Sequence, residues 1–298
     1  MRRIVRSEAI CLRVQDYHES SKLVTFFTLE RGKVSCLAKG ARRLRSKFGA
    51  ALDLFAQSRI IYYSHETRTL FTLSDAELVR SSSSLALLPE RFLAAEQMAE
   101  FVLRVIQPSD PSPQLYQLLL NYLSTLESLQ YPVCSLQSSG SANLQSAICN
   151  LQSPAPQPLT PDPFPALVCS FLLKAASFLG FRPELRRCLI CRRPIESQRP
   201  AFFDPGRGGI ICPRCAGENP SGARLDSASL DTLSFLLYTP ASEIASLLPS
   251  LSPNPHSLVP NPHSPLPLLD LVLGFLGHHF DPLVLNSFRW HAGLERNL

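Results

Sequence analysis

The sequence predicts an α+β protein, in which an N-terminal β-barrel is followed by an α-helical domain with an inserted four-cysteine element. Three observations lead to this prediction. Segments with strand periodicity fill residues 4–80, and a helical period replaces it from Pro89 onward. Two C-x-x-C motifs, at 188–191 and 212–215, lie within the helical part.

The first element is a set of short predicted strands. Ile10, Leu12 and Val14 alternate with other residues, and the segments 23–29, 33–39, 55–64 and 69–79 are rich in β-branched and aromatic residues. Short polar turns separate these segments. Their number and length, together with basic charge, favour an OB-type barrel over other small barrels and sandwiches. We therefore expect an OB-fold domain at residues 1–82.

Helices are expected throughout the remaining domain, residues 83–298. Apolar side chains recur at helical spacing in 89–106, and Ser112-Pro113 is a typical start for the next helix. Gly180 is a natural residue to end a helix at 166–180. Further helices are predicted at 227–238, 241–248, 266–280 and 282–290.

Two segments of biased composition interrupt the helical pattern. Residues 132–165 repeat the triplet LQS three times and then become rich in proline, and residues 249–267 contain PNPHS twice. Neither segment has enough apolar surface to order itself, so both are predicted to be low-complexity, flexible loops.

The charge of the chain is unevenly distributed. The net charge is +5 over 298 residues, but residues 1–80 hold 15 Lys/Arg and 8 Asp/Glu, whereas the remainder holds 14 and 16. The basic excess thus belongs to the N-terminal region and indicates a polyanionic partner there.

The sequence also predicts where the protein acts. No run of about 18 apolar residues suggests a membrane span. The N-terminus has no apolar stretch of the kind found in secretion signals, and nine cysteines without such a signal are typical of a reducing cytoplasm. We therefore expect a cytoplasmic protein without membrane contact.

The four-cysteine element, residues 185–218, has the spacing of a zinc ribbon. Its proposed ligands are Cys188, Cys191, Cys212 and Cys215. Phe202-Phe203 and Ile210-Ile211 flank a Pro-Gly-Arg-Gly-Gly turn, which predicts a hairpin between the two cysteine pairs. Four thiolates fill a tetrahedral zinc shell and leave no position for water, so we expect one structural Zn²⁺ per chain. A redox role would need a thioredoxin-like βαβ context, which the sequence lacks.

A second informative segment is the basic stretch KGARRLRSKFG at 39–49. It holds five cations and no acid, namely Lys39, Arg42, Arg43, Arg45 and Lys47. Such a run is often only a solvated loop. On a basic OB-type barrel, however, it favours sequence-tolerant binding of nucleic acid.

Arginines also surround the cysteine element, with eight between 182 and 214 against three acids. Those beside the predicted ligands are Arg186, Arg187, Arg192, Arg193 and Arg214. They can balance the charge of the thiolates or contact nucleic acid, and the sequence leaves both interpretations open.

Common catalytic motifs are missing from the sequence. It contains no P-loop, no G-x-G-x-x-G and no H-E-x-x-H, and His278-His279 is typical of a helix C-terminus. We therefore predict a protein without catalytic residues. The alternatives are an RNA-binding zinc-ribbon factor and a zinc-dependent nucleic-acid enzyme.

These segments resemble the bacterial recombination mediator family RecO. The resemblance rests on LAKGARRLRSKFGAALDLF, the helix at 89–106, the C-x-x-C…GG-x-x-C-x-x-C element and the ending HHF…LNSFRW. It covers nearly the whole chain apart from 132–165 and 249–267. One departure is Arg192, which stands where zinc knuckles commonly have glycine.

The resemblance implies an OB-fold followed by a helical domain with a zinc element. It implies DNA repair and recombination by the RecF pathway, with binding of single- and double-stranded DNA and annealing of strands. It further implies cooperation with RecR, and with RecF in many bacteria, to load RecA on DNA coated by single-strand-binding protein. The acidic tail of that protein is expected to bind the helical domain. Such a protein is expected at the nucleoid.

Overall fold

The strand periodicity of the N-terminal region gives a five-stranded sheet in the computed structural model. The structure describes residues 2–65, 68–129, 163–195, 200–217, 222–251, 268–280, 283 and 285–288. The strands are β1 (Arg2–Tyr17), β2 (Ser21–Thr28), β3 (Gly32–Ala38), β4 (Gln57–His65) and β5 (Leu70–Arg80).

The five strands close into a barrel in the order β1-β2-β3-β5-β4. β1 is long enough to pair with two strands, with β4 through Arg2–Ile10 and with β2 through Ala9–Tyr17. β3 and β5 pair in parallel, while the other neighbours are antiparallel. This is the topology of an OB-fold, so the predicted barrel is confirmed.

A β-bulge in β1 directs side chains to two different cores. Leu12 has no partner between the pairs Cys11–Phe26 and Arg13–Thr25. Cys11 points into the barrel interior, whereas Ile10 and Leu12 pack in the larger core formed with the helices. The extra residue moves Val14 to the barrel side. The predicted alternation of Ile10, Leu12 and Val14 on one face therefore breaks after Leu12.

Six helices build the second part of the chain in the residues described. They are α1 (Pro89–Val105), α2 (Pro113–Ser128), α3 (Pro163–Phe178), α5 (Ser227–Tyr238), α6 (Ala241–Leu251) and α7 (Leu268–His279), with a single turn, α4 (Pro213–Ala216), inside the cysteine element. α3 lies at the centre and contacts α1, α2, α5, α6 and α7. Its only charged residue is Lys174, in keeping with a helix buried on most sides.

Parts of the sequence prediction need correction. The helix predicted at 282–290 is wrong where the structure describes it, because residues 286–288 form a bend and a turn. The Glu100 carboxylate holds this turn by accepting hydrogen bonds of 2.8 Å from the backbone N–H groups of Asn286 and Ser287. The low-complexity segments lie outside the described residues except at 163–165 and 249–251, which belong to α3 and α6.

The barrel and the helices share one apolar core. Phe27 packs on Tyr116 with ring centroids 5.6 Å apart, and Phe55 packs on Phe92 at 5.5 Å. Lys33 donates a 2.9 Å hydrogen bond to the carbonyl of Leu103 near the end of α1. These contacts hold the barrel in a defined position on the helical domain. Among the described helices, none is long and apolar enough to cross a membrane.

Candidate metal centre and nucleic-acid interface

The cysteine element is a small three-stranded sheet. β6 (Ala201–Asp204) and β7 (Gly209–Ile211) form the predicted antiparallel hairpin, and β8 (Ala223–Leu225) pairs with the other edge of β6. β8 was not predicted, since three residues are too short for a strand pattern. The backbone of Glu184 bonds to Gly208 and Ile210, so the segment that leads to the first cysteine pair lies along β7.

The first pair, Cys188 and Cys191, lies in a tight turn. The Arg192 N–H donates to the carbonyl of Cys188, and the Cys188 N–H donates to the carbonyl of Arg193, both at 2.9 Å. Arg192 closes the turn with φ of 61°, in the left-handed region that glycine prefers. The turn therefore forms without the usual glycine, at a cost in backbone strain.

In the second pair, Cys212 is the N-cap of the single turn α4 and Cys215 lies within it. Cys212 precedes Pro213, and its carbonyl accepts hydrogen bonds from the N–H groups of Cys215 and Ala216. Gly217 ends the turn with φ of 69°. The two sulfurs of this pair are thereby directed toward those of the first pair.

The four sulfurs form one cluster, in which all ligand atoms lie within 4.8 Å of one another. The Sγ atoms of Cys191 and Cys212 are 3.8 Å apart. A tetrahedral ion with metal–sulfur bonds of about 2.3 Å requires sulfur–sulfur distances of about 3.8 Å. The donor set and its spacing thus fit a four-coordinate metal ion.

The ionisation of the cluster is uneven. Burial raises the pKa of Cys188, but backbone hydrogen bonds, foremost from the N–H of Cys212 at 3.3 Å, outweigh this effect and lower the pKa to about 6. The pKa of Cys215 is raised to about 12, first by its hydrogen bond with the Cys212 sulfur and further by the nearby Cys188. Four thiolates at this spacing repel one another, and a dication is what allows them all to ionise.

The remaining cysteines that the structure describes lie outside the cluster. Cys11, Cys36 and Cys169 are buried in the two cores. Burial raises the pKa of Cys36 to about 12 and that of Cys169 to about 12, so these thiols stay protonated. Cys134 and Cys149 lie outside the described residues.

Aromatic packing joins the cysteine element to α7. Phe203 of β6 lies 6.1 Å from Phe275, and the ring of His279 packs 4.7 Å from Phe275 and 5.1 Å from Phe181. A Cβ at Gly208 would come within 3.3 Å of His279. His278 and His279 therefore end α7, as predicted from their position, and His279 also supports the ribbon.

The basic stretch forms an ordered loop between β3 and the short 3-10 turn Gly49–Leu52. Arg42 Nη1 donates to the carbonyl of His18 at 3.1 Å, and its Nε lies 3.4 Å from Asp16 Oδ2. Lys47 donates to the carbonyl of Ser74. Phe48 is buried in the barrel core. Both ends of the loop are thus anchored to the barrel.

All five cations of the stretch are exposed, but three of them have no side-chain partner in the part of the chain that the structure describes. Lys39, Arg43 and Arg45 are exposed and form no ion pair with any residue in the described part of the chain. The Ser46 N–H bonds to the carbonyl of Arg43 and bends the loop so that the arginines stand at its outer edge. The sequence identified all five cations, but it did not separate the two that anchor the loop from the three that remain available.

The fold and the cluster define a class of protein, an OB barrel fused to a helical domain that carries a four-cysteine ribbon. The family model described as "Recombination protein O N terminal" matches residues 1–82, and "Recombination protein O C terminal" matches 89–137 and 157–251. The chain belongs to the RecO family of DNA repair and recombination proteins.

Curated relatives agree with this assignment. The chain is 32% identical over 231 residues to "DNA repair protein RecO" of Symbiobacterium thermophilum, covering 77% of this chain and 78% of the relative. It is 30% identical over 244 residues to the protein of that name from Rubrobacter xylanophilus, covering 82% and 84%. It is also 30% identical over 229 residues to that from Anaeromyxobacter dehalogenans strain 2CP-C, covering 77% of each.

Proposed function

We propose that this protein is a recombination mediator that binds single- and double-stranded DNA through the barrel and has no catalytic turnover. The observation that carries the proposal is the anchored loop 39–49, with Lys39, Arg43 and Arg45 exposed and unpaired in the described structure. Phosphates are recognised by such cations without regard to base sequence. Arg42 and Lys47 hold the loop in position; Lys47 adds to its positive potential, whereas the charge of Arg42 is offset by Asp16.

The cysteine cluster is proposed to bind one structural Zn²⁺ per chain through Cys188, Cys191, Cys212 and Cys215. Four thiolates at tetrahedral spacing favour zinc over hard cations. A closed shell supplies folding energy and leaves no position for water or substrate. The ion therefore stabilises the ribbon and takes no part in a reaction.

Membership of the RecO family supports a finer proposal. The protein anneals complementary strands and, with RecR, assists loading of RecA on DNA coated by single-strand-binding protein, whose acidic tail it contacts; RecF takes part indirectly. These partners belong to the RecF pathway of recombination, which acts on chromosomal DNA at the nucleoid in the cytoplasm.

The test is DNA binding across a salt series. A variant with Lys39→Gln, Arg43→Gln and Arg45→Gln is compared with wild type on single-stranded DNA. Each lost phosphate contact lowers the slope of log affinity against log salt by about 0.7, so a decrease of about 2 is expected. The matched control is Arg59→Gln, because Arg59 lies on the barrel but already pairs with Glu77 at 3.0 Å. An unchanged slope in the triple variant would show that the loop does not bind DNA.

The alternatives are separated by two further measurements. An RNA-binding ribbon factor would prefer RNA over DNA of the same sequence in competition. A zinc-dependent enzyme would cleave DNA in the presence of zinc and lose this activity on chelation. The proposal requires annealing of complementary DNA strands, including strands coated with single-strand-binding protein, without cleavage.

A further inference from the structure

Two arginines beside the cysteine element share one aromatic ring. The guanidinium carbon of Arg186 lies 4.3 Å from the ring centroid of Tyr238, and that of Arg182 lies 5.1 Å from the same centroid. Arg182 and Arg186 are both exposed, and Tyr238 keeps 38% of its surface accessible. The ring attracts each cation, but it also brings two like charges close together.

Neither arginine has an acidic partner in the described structure. The nearest acid in sequence, Glu184, uses its carboxylate to accept the backbone N–H groups of Arg186 and Arg187 at 2.9 and 3.1 Å. Asp204 pairs with Arg207. The two guanidinium groups on Tyr238 therefore keep their donors available.

The metal centre does not account for these arginines. Among the residues described, no arginine donates a hydrogen bond to a cysteine sulfur of the cluster, and the donors that reach Cys188 include backbone N–H groups, foremost that of Cys212. The helix end does not account for them either. At the C-terminus of α5, the carbonyl of Leu236 accepts from Ser170 and that of Thr239 accepts from Lys174.

The surrounding surface has a positive excess. Residues 182–226 contain nine arginines, of which the eight that the structure describes are all exposed, against five acidic residues, so the excess is four charges. A four-thiolate site with one divalent ion carries two negative charges, and an excess of two remains. The arginines thus exceed what the metal centre requires.

We propose that Arg182 and Arg186, held on Tyr238, form a phosphate clamp. The surface of the helical domain around this pair and the cysteine element is then a second nucleic-acid-binding surface. Guanidinium groups fixed by stacking bind phosphate oxygens bidentately and lose little side-chain entropy on binding. The clamp lies on a different domain from the loop 39–49, so one protein can hold two stretches of the phosphate backbone. This inference rests on the proposed DNA-binding function and extends it to the helical domain.

The test compares Arg182→Gln/Arg186→Gln with wild type, in the full-length, metal-loaded chain, by binding of a fluorescent oligothymidine over a salt series. Two lost contacts predict a slope lower by about 1.4 and an affinity lower by about 3- to 10-fold. Arg207→Gln is the matched control, because its guanidinium pairs with Asp204. Tyr238→Phe keeps the aromatic ring and should retain the slope of wild type, whereas Tyr238→Leu should lower it.

The outcomes separate this inference from the proposed function. If wild type shows no salt-dependent affinity for DNA, the proposed function fails. If wild type binds but the Arg182/Arg186 variant keeps its full slope and metal content, only the clamp is refuted. If the Arg182/Arg186 variant keeps the salt slope of wild type on DNA but no longer binds an aspartate-rich peptide that wild type binds, the two arginines instead bind an acidic protein partner. Combining both sets of substitutions should lower the slope by the sum of the two separate decreases.

Discussion

Arg42 forms an ion pair with Asp16, with 3.4 Å between Nε and Oδ2, and so connects the basic loop to the end of β1. The pair is half-exposed, so its contribution to stability is small, at most about 1 kcal/mol. The pair has a more direct effect on the electrostatic potential of the loop, because the negative charge of Asp16 offsets the positive charge of Arg42. The carboxylate therefore limits the affinity of the loop for phosphate.

Replacing Asp16 by Asn should strengthen DNA binding. The substitution frees Arg42 to contact phosphate and should raise the salt slope on single-stranded DNA by up to about 0.7, with a change in unfolding free energy below about 1 kcal/mol. Binding by fluorescence anisotropy over a salt series measures this. The control is Glu77→Gln, which removes the same charge from the barrel at the Arg59 pair. Weaker binding of Asp16→Asn than of wild type would show that the ion pair is needed to shape the loop.

Removing one metal ligand should destabilise the helical domain more than the barrel. Cys188→Ser should abolish stoichiometric zinc and lower the unfolding free energy by about 3–5 kcal/mol, because Phe203, Ile210 and Leu225 of the ribbon belong to the shared core. Metal analysis with thermal unfolding measures both effects. Cys169→Ala is the control, since it alters a buried thiol away from the cluster and should keep one zinc per chain. Full zinc content in Cys188→Ser would contradict the four-cysteine site.

Replacing Arg192 by glycine should stabilise the tight turn that holds Cys188 and Cys191. Arg192 has φ of 61°, a conformation that costs a side-chain-bearing residue about 1–2 kcal/mol. Part of this gain is offset by the freer unfolded chain, so the unfolding free energy should rise by about 0.5–1 kcal/mol. Denaturant unfolding measures the difference. Arg193→Gly loses the same charge at a residue without positive φ and should destabilise instead. A loss of stability in Arg192→Gly would mean that its side chain contributes more than the strain costs.

Lys174 should make stability depend on pH. Burial lowers the pKa of this lysine to about 8, where it donates to Tyr122 Oη at 3.0 Å and to the carbonyl of Thr239. At pH values between the pKa of Lys174 in the folded protein and its higher pKa in the unfolded chain, the unfolded state binds more protons than the folded state. The contribution of Lys174 to the free energy of unfolding therefore rises with pH in this range. Lys174→Met should remove that rise.

The measurement is denaturant unfolding of wild type and Lys174→Met between about pH 8 and pH 9.5, below the range in which unfolded tyrosines ionise. The difference between the two proteins isolates Lys174 from the cysteines of the unfolded chain, which also ionise in this range. Parallel pH profiles would show that the lysine titrates normally.

Much of the architecture could be predicted because it depends on local patterns. Alternating residues predicted the barrel strands, helical spacing predicted α1 and α5 nearly to the residue, and the flanking residues predicted the hairpin 201–211. Long-range effects produced the errors. The bulge at Leu12 and the turn at 286–288 depend on Phe26, Thr25 and Glu100, which are remote in sequence.

The sequence by itself determined the OB barrel, the helical domain, the four cysteines and the basic stretch, because each follows from residue type at short spacing. Only the tertiary structure decided which cations are available. Asp16 and the Ser74 carbonyl engage Arg42 and Lys47, whereas Arg43 and Arg45 meet no partner in the described chain. Tyr238, which is remote in sequence, likewise lies against the guanidinium groups of both Arg182 and Arg186. The physical reason is that a charge acts through its neighbours in space, and folding alone brings those neighbours together.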